Sequence, residues 1–170
     1  APHPNARAGS LGPWRDVAVL LLGGAHAAAA EAERYEAAMR ALPPSTLPRT
    51  AEGWPCFDMM LIGVGDDGHV GSLYPGRSEV LEEAAWVLPV DMKQPGSITL
   101  SLPVMSAAKH VVIAACGVSE KYPQGKSDGM ARAIEGDETP TSFPAAALRG
   151  VAEWVIDEAA ASKLSSPYLS

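Results

Sequence analysis

The strongest constraint on the fold is an apolar run that ends abruptly in glycines. Residues 57–62 are apolar apart from Asp58, and Gly63 and Gly65 follow directly. A run that does not alternate with polar residues is typical of a strand buried on both faces of a parallel sheet. We therefore predict that residues 57–62 form a central, fully covered strand. The glycines predict a tight turn at its carboxyl end, the edge where open α/β sheets bind ligands.

The rest of the chain alternates between apolar strands and Ala-rich helices. Residues 26–42 are rich in Ala, Glu and Arg, and this segment stops at Pro43, as a helix would. Further strand candidates lie at 86–90, 98–102 and 111–116, and further helix candidates at 103–109, 130–135 and 157–164. Because strands alternate with helices, we expect a single α/β domain over residues 1–170, Rossmann-like, with a mainly parallel sheet and flanking helices.

The composition disfavours several classes of protein. Of the 170 residues, 47% are hydrophobic and 19% charged, and the chain contains no uncharged apolar run of about 18 residues, which a membrane span would need. The net charge is −7 and the basic residues are scattered, which disfavours nucleic acid and anionic membranes as partners. Cys56 and Cys116 lack metal-binding spacing, so no metal is predicted. No targeting peptide is visible, and we expect a cytoplasmic protein, with a plastid as the alternative.

Two side chains suited to catalysis follow the first strand. Asp67 and His69 are separated only by Gly68. A carboxylate beside an imidazole can fix the tautomer of the ring and prepare it to take a proton from water. The pattern favours His69 as the general base of a hydrolase, with Asp67 as its partner. Taken by itself, His69 also fits a structural loop histidine.

Residues 63–68 also satisfy the dinucleotide-binding pattern G-x-G-x-x-G after a strand. In such a site a pyrophosphate needs bare backbone N–H groups, whereas this turn carries the carboxylates of Asp66 and Asp67. Pro75 would also end the following helix too early. Both features disfavour a dinucleotide site, and we expect no cofactor.

The stretch 58–75 resembles the signature of the 6-phosphogluconolactonase family, Asp-x-x-Leu-Leu-Gly-x-Gly-x-Asp-Gly-His-x-Ala-Ser-Leu-Phe-Pro. The departures are mild, with Ile62 for Leu, Gly71 for Ala and Tyr74 for Phe. The related glucosamine-6-phosphate deaminases share Asp-Gly-His but continue Ile-Ala-Phe-Asn-Glu-Pro, so the lactonase branch fits better. The resemblance is strongest over 57–76 and extends over about 31–161 through the segments 35–42, 98–105 and 154–160.

The resemblance implies an activity and a role for several residues. The family hydrolyses 6-phospho-D-glucono-1,5-lactone to 6-phosphogluconate in the oxidative pentose phosphate pathway, without a metal or cofactor. By resemblance, His69 deprotonates the attacking water and Asp67 holds its ring. Backbone N–H groups of Gly65 or Gly68 would stabilise the oxyanion. The cations that could face the phosphate are Arg77, Lys93 and Lys121, and each also fits an ordinary surface charge.

The sequence departs from the family pattern in two respects. Ser97 stands where most members carry an Arg just before the Ile-Thr-Leu segment, which removes one expected phosphate contact. The family's Ser-Gly-Gly-x-x-Pro phosphate loop and a later Asp-Glu-Arg segment are not found, so we expect the chain to lack the family's amino-terminal portion. A second hypothesis is a catalytically silent homologue that serves as a structural or interaction subunit. The intact Asp67 and His69 favour the enzyme.

Overall fold

The computed structural model describes residues 20–23, 27–92, 95–118, 120 and 125–165. Its helices are α1 (Ala28–Arg40), α2 (Leu102–Ser106), α3 (Ser127–Ile134) and α4 (Glu158–Ala161), with 3-10 helices at Ser78–Leu81 and Pro144–Leu148. Its strands are β1 (Met60–Gly63), β2 (Val87–Val90), β3 (Ser97–Leu100), β4 (Val111–Ala115) and β5 (Ala152–Ile156). The expected α/β class is confirmed. Among the described residues, no helix has the length and apolar character needed to cross a bilayer.

The main sheet contains parallel strands in the order β1-β4-β5. Met60 lies opposite Val111, and Val111 lies opposite Ala152, so each row of residues crosses all the strands of this sheet. Because the strands are parallel, their carboxyl ends meet at one edge. The turn after β1 and the chain that leaves β4 therefore start at the same edge of the sheet.

A smaller sheet pairs β2 with β3 in antiparallel fashion. Only residues 91–96 join these strands, and a connection this short cannot form the crossover that a parallel pair needs. Helix α1 packs against both strands. The Glu36 carboxylate accepts hydrogen bonds from the backbone N–H groups of Trp86 and Val87 at 2.8 and 3.0 Å, which fixes α1 across the start of β2.

Two hydrophobic clusters hold these layers together. The larger cluster packs under the main sheet and includes the fully buried side chains of Val70, Leu73 and Phe143. The smaller cluster is built around Met39 and Trp86, between α1 and the smaller sheet. Burying one large apolar side chain is worth about 1.5–3 kcal/mol. Because Val70 and Leu73 belong to the larger cluster, the turn after β1 is anchored in the core.

The prediction that residues 57–62 form a central strand covered on both faces is wrong. Regular strand structure begins at Met60, and among the described strands β1 lies at the edge of its sheet, where it pairs with β4. The side chain of Ile62 is buried, but that of Leu61, on the opposite face, is 75% exposed. An apolar composition shows that a strand suits burial, whereas its position in a sheet depends on which neighbouring elements surround it.

The outer face of the main sheet is an apolar surface, which we call the open face. Parallel sheets are normally covered on both faces. In the part of the chain that the structure describes, the core packs against the inner face, while Leu61 and Val155 on the outer face remain exposed. The rows of the open face are Leu61, Val112 and Glu153, followed by Gly63, Ala114 and Val155.

Candidate active site

Short-range backbone contacts close the turn after β1. Val64 pairs with Val70, and Val70 pairs again with Leu73, as antiparallel bridges. Inside this closure the N–H of Gly65 donates to the carbonyl of His69 at 2.9 Å. We refer to residues 64–73 as the β1 turn. Its position at the carboxyl edge of the main sheet is the one that the sequence predicted for a ligand site.

Two glycines let the β1 turn pack closely against its surroundings. A Cβ at Gly65 would overlap the His69 ring and come within 2.7 Å of an Asp67 carboxylate oxygen. Gly68 has a φ of +84°, which favours glycine, and a Cβ there would overlap the ring of Phe143. The carbonyl of Gly68 accepts a hydrogen bond from the N–H of Ala145 at 2.9 Å. The backbone between Asp67 and His69 is therefore held against the 3-10 helix Pro144–Leu148.

Asp67 and His69 form the pair that the sequence predicted. The Asp67 Oδ1 lies 2.6 Å from Nδ1 of the His69 ring, and it also accepts a hydrogen bond from the His69 backbone N–H at 3.1 Å. The ring packs against Tyr74 with a centroid distance of 4.7 Å and remains 26% exposed. Because a carboxylate oxygen accepts at Nδ1, the neutral ring carries its proton there, which leaves the lone pair on Nε2.

The charge state of Asp67 supports this arrangement. Partial burial is the largest single influence on its pKa and opposes ionisation. Hydrogen bonds from the backbone N–H and the ring of His69, together with the charge of that ring, outweigh burial and lower the pKa of Asp67 below its ordinary value. Asp67 is therefore an acceptor at neutral pH, and the ring is the donor in their contact.

The two glycines predicted to stabilise an oxyanion use their N–H groups within the turn. Gly65 donates to His69 and Gly68 donates to Gly65, the latter at 3.1 Å. Both glycines are buried. These contacts give Gly65 and Gly68 a part in shaping the turn, and their contact with an oxyanion stays a prediction.

The cations predicted for the phosphate are not brought together at the β1 turn by any described contact. The Arg77 guanidinium pairs with the Glu79 carboxylate, and this hydrogen bond raises the pKa of Arg77. Lys93 and Lys121 lie outside the described residues. In the described part of the chain, no cluster of three or more His, Cys, Asp or Glu side chains is placed to hold a metal ion.

Lys126, which the sequence analysis did not single out, also contacts the β1 turn. Its Nζ donates to the carbonyl of Val64 at 2.7 Å, which places a positive charge at the base of the β1 turn. Lys126 is the residue before α3, whose first turn lies so close that a Cβ at Gly129 would be 3.3 Å from the Asp66 carbonyl. The signal in the sequence was a Lys directly before the helix that follows β4, since β1 and β4 end at the same edge.

Comparisons with known proteins place these features in a family. The family model described as glucosamine-6-phosphate isomerases/6-phosphogluconolactonase matches residues 12–156. The chain is 36% identical to the probable 6-phosphogluconolactonase 2 of Arabidopsis thaliana over 146 residues, which make up 82% of this chain and 53% of that relative. It is 35% identical to the chloroplastic 6-phosphogluconolactonase 3 of the same plant over 144 residues, 81% of this chain and 42% of the relative.

A solved structure agrees with the sequence matches. The crystal structure of 6-phosphogluconolactonase from Leishmania guyanensis is similar with a TM-score of 0.60 at 26% identity, covering 82% of this chain and 54% of that chain. The chain thus spans about half the length of the relatives it matches. The region matched by the family model includes the whole β1 turn, with Asp67 and His69. The chain therefore belongs to the family of glucosamine-6-phosphate isomerases and 6-phosphogluconolactonases.

Proposed function

We propose that this protein hydrolyses 6-phospho-D-glucono-1,5-lactone to 6-phosphogluconate, a step of the oxidative pentose phosphate pathway. The observation that carries the proposal is the 2.6 Å contact between Asp67 and His69, on a closed turn at the carboxyl edge of the sheet. The two named relatives that match this region are called 6-phosphogluconolactonases, which supports a lactone as the substrate.

The reaction needs one group that first accepts a proton and then returns it. Nε2 of His69 takes a proton from water while the water oxygen bonds to the lactone carbonyl carbon, and the carbonyl oxygen becomes an oxyanion. When the oxyanion collapses, the bond from that carbon to the ring oxygen breaks, and the imidazolium returns its proton to the departing oxygen. Asp67 stabilises the imidazolium and keeps Nε2 directed outward. The products are a free hydroxyl and a carboxylic acid, so one water is consumed.

We also propose that the ammonium group of Lys126 binds the phosphate of the substrate. Its Nζ lies at the base of the turn that carries the proposed base, as its contact with the Val64 carbonyl shows. A substrate held through its phosphate is positioned by interactions remote from the reacting carbon, which lowers the cost of orienting it. Arg77, Lys93 and Lys121 remain predicted phosphate contacts, Lys121 from the family resemblance and the other two from their places beside the apolar segment that follows the signature.

The decay of the lactone with and without a phosphate tests both parts of this proposal. The protein should speed hydrolysis of the phosphorylated lactone above the rate in buffer. Lys126→Met should raise KM for the phosphorylated lactone by about tenfold or more, since a charge-assisted contact is worth about 1.5–3 kcal/mol, and should change hydrolysis of unphosphorylated glucono-1,5-lactone much less. Lys109→Met is the matched control, because Lys109 pairs with Asp58 at the other end of the sheet. Equal effects of the two changes would contradict the role of Lys126.

One observation favours the alternative, a catalytically silent homologue that acts as an interaction subunit. The open face presents Leu61 and Val155 to solvent, and exposed apolar surfaces of this kind mark interaction sites. The same assay separates the two candidates. A protein that leaves lactone decay at the buffer rate is the silent homologue, and a protein that accelerates it with dependence on His69 is the enzyme.

The proposed compartment is the cytoplasm, with the plastid as the alternative. Cys56 and Cys116 are both free thiols, as expected where thiols stay reduced. The chloroplastic name of one relative supports the plastid alternative. Fluorescent tagging of the protein encoded by the whole gene distinguishes the two locations.

A further inference from the structure

The hairpin directly after His69 is held by a hydrogen-bond acceptor on the smaller sheet. Val70 and Leu73 exchange backbone hydrogen bonds at 3.3 and 2.9 Å, so Gly71 and Ser72 form the tip of a tight hairpin. The N–H of Ser72 points away from this exchange. It donates instead to Oγ1 of Thr99, at 3.2 Å, on strand β3 of the smaller sheet.

Burial and a second hydrogen bond hold the Thr99 side chain in this position. Its exposure is 6%, and its hydroxyl donates to the carbonyl of Leu100 at 3.1 Å. Because that proton is committed, the oxygen presents a lone pair to the N–H of Ser72. Without Thr99 Oγ1, this part-buried amide would lose the acceptor that the fold provides, and losing one net hydrogen bond costs about 0.5–1.5 kcal/mol.

The tip also lies so close to Thr99 that a side chain at position 71 would force a neighbouring side chain to shift. Gly71 has a φ of +58°, and a Cβ there would be 2.6 Å from Thr99 Oγ1 and 3.1 Å from the Met105 side chain. Ser97, two residues earlier on the same face of β3, donates its hydroxyl to that of Ser72 at 3.1 Å. Strand β3 thus meets the tip at two points, of which the Thr99 contact is part-buried and the Ser97 contact exposed.

We propose that Thr99 is a positioning residue for His69. Val70, fully buried, joins His69 directly to the hairpin whose tip Thr99 holds. Fixing the Ser72 amide therefore fixes the backbone that aims the His69 ring toward Asp67. The smaller sheet contributes no residue to the Asp67–His69 pair, and we assign its effect on the site to the hydrogen bond from the Ser72 N–H to Thr99. The expected effect of Thr99 on catalysis rests on the proposed lactonase function. Its expected effect on the position of the His69 ring does not.

Thr99→Val is the direct test, because valine keeps the shape of threonine and removes the oxygen. Three variants accompany it. Thr99→Ser keeps Oγ, Ser97→Ala removes only the exposed contact, and Ile113→Val weakens the core by about 0.5–1.5 kcal/mol without changing a residue of the turn or of strand β3. The last variant shows what simple loss of stability does to each measurement.

The first readout is the nitrogen chemical shift of the His69 ring, together with hydrogen exchange of the Ser72 amide. Thr99→Val should move the ring signals and speed exchange at Ser72 by about fivefold to tenfold, the effect of losing one net hydrogen bond. Thr99→Ser, Ser97→Ala and Ile113→Val should keep the ring signals of the parent. Unchanged ring signals in Thr99→Val, or equal changes in Ile113→Val, would overturn the proposal.

The second readout is lactone hydrolysis. Thr99→Val should lower kcat by about tenfold with KM within about threefold, since a small misplacement of a catalytic group acts on the chemical step. Thr99→Ser should restore kcat to within about threefold of the parent. Full activity in Thr99→Val would also overturn the positioning role. If the parent protein lacks lactonase activity while the ring signals respond as expected, the proposed function fails and the structural role of Thr99 stands.

Discussion

The β1 turn and the strand that precedes it are surrounded very differently. The turn is enclosed, with Val70 and Leu73 fully buried and with Gly68 pressed against Phe143. The strand is half open, since Leu61 points into solvent from the open face. The described contacts that hold Asp67 against His69 lie within the turn itself, whereas the outer face of the sheet has no cover from the described residues. The local geometry of the proposed base therefore does not depend on whatever covers the open face.

Two leucine-to-alanine substitutions, one beneath the turn and one on the open face, should show the largest difference between these two regions. Leu148→Ala, in the 3-10 helix beneath the turn, should cost about 2–5 kcal/mol of unfolding free energy, because the side chain is fully buried. Leu61→Ala, on the open face, should cost less than about 0.5 kcal/mol. Urea unfolding measures both. A similar cost for the two changes would show that the open face is covered in solution.

The enclosure of the turn can be tested separately at a single glycine. Gly68→Ala places a Cβ against the Phe143 ring at a φ of +84°. Gly53→Ala is the control, because Gly53 has a φ of +91° with open space around it. The control should cost about 1 kcal/mol from backbone strain, and Gly68→Ala about 2 kcal/mol more from overpacking. Equal losses in thermal or urea unfolding would contradict the close packing of the turn on Phe143.

The smallest expected effect is the contribution of the Asp67 carboxylate to folding stability, which an acid titration measures. Its folded pKa lies below the ordinary value of 3.8, so the carboxylate contributes stability above that pH and loses it as the pH falls through the folded pKa. Because the side chain is about half exposed, the contribution should stay below about 1 kcal/mol. The carboxyl carbon shift of Asp67 should titrate with a midpoint below 3.8. In His69→Asn the midpoint should move upward, since the ring contact is lost; an unmoved midpoint would show that the ring contributes nothing.

The site pair and the fold class could be read from the sequence because both depend on local patterns. The Asp67–His69 spacing places both groups on one short turn, and three residues leave little freedom in how they meet. The alternation of apolar and Ala-rich segments likewise indicated an α/β fold with a parallel sheet. The antiparallel pairing of β2 with β3 can also be predicted from the sequence, because residues 91–96 are too few for a crossover.

The features that were missed depend on contacts between distant parts of the chain. The place of β1 at the sheet edge follows from its neighbours, which the apolar run at 57–62 does not specify. The contact of Lys126 with Val64 joins residues 62 positions apart, and no local pattern in the sequence indicates it.

The most direct test of the account compares two histidines in the lactone decay assay. His69→Asn should lower kcat/KM for the phosphorylated lactone by about 100-fold or more, the scale expected when a positioned general base is removed. His110→Asn is the matched control, because His110 is exposed and lies just before β4, at the opposite edge of the sheet. Its activity should stay within about threefold of the parent, as expected for a surface residue away from the site. If His69→Asn also stays within about threefold, His69 is not the base.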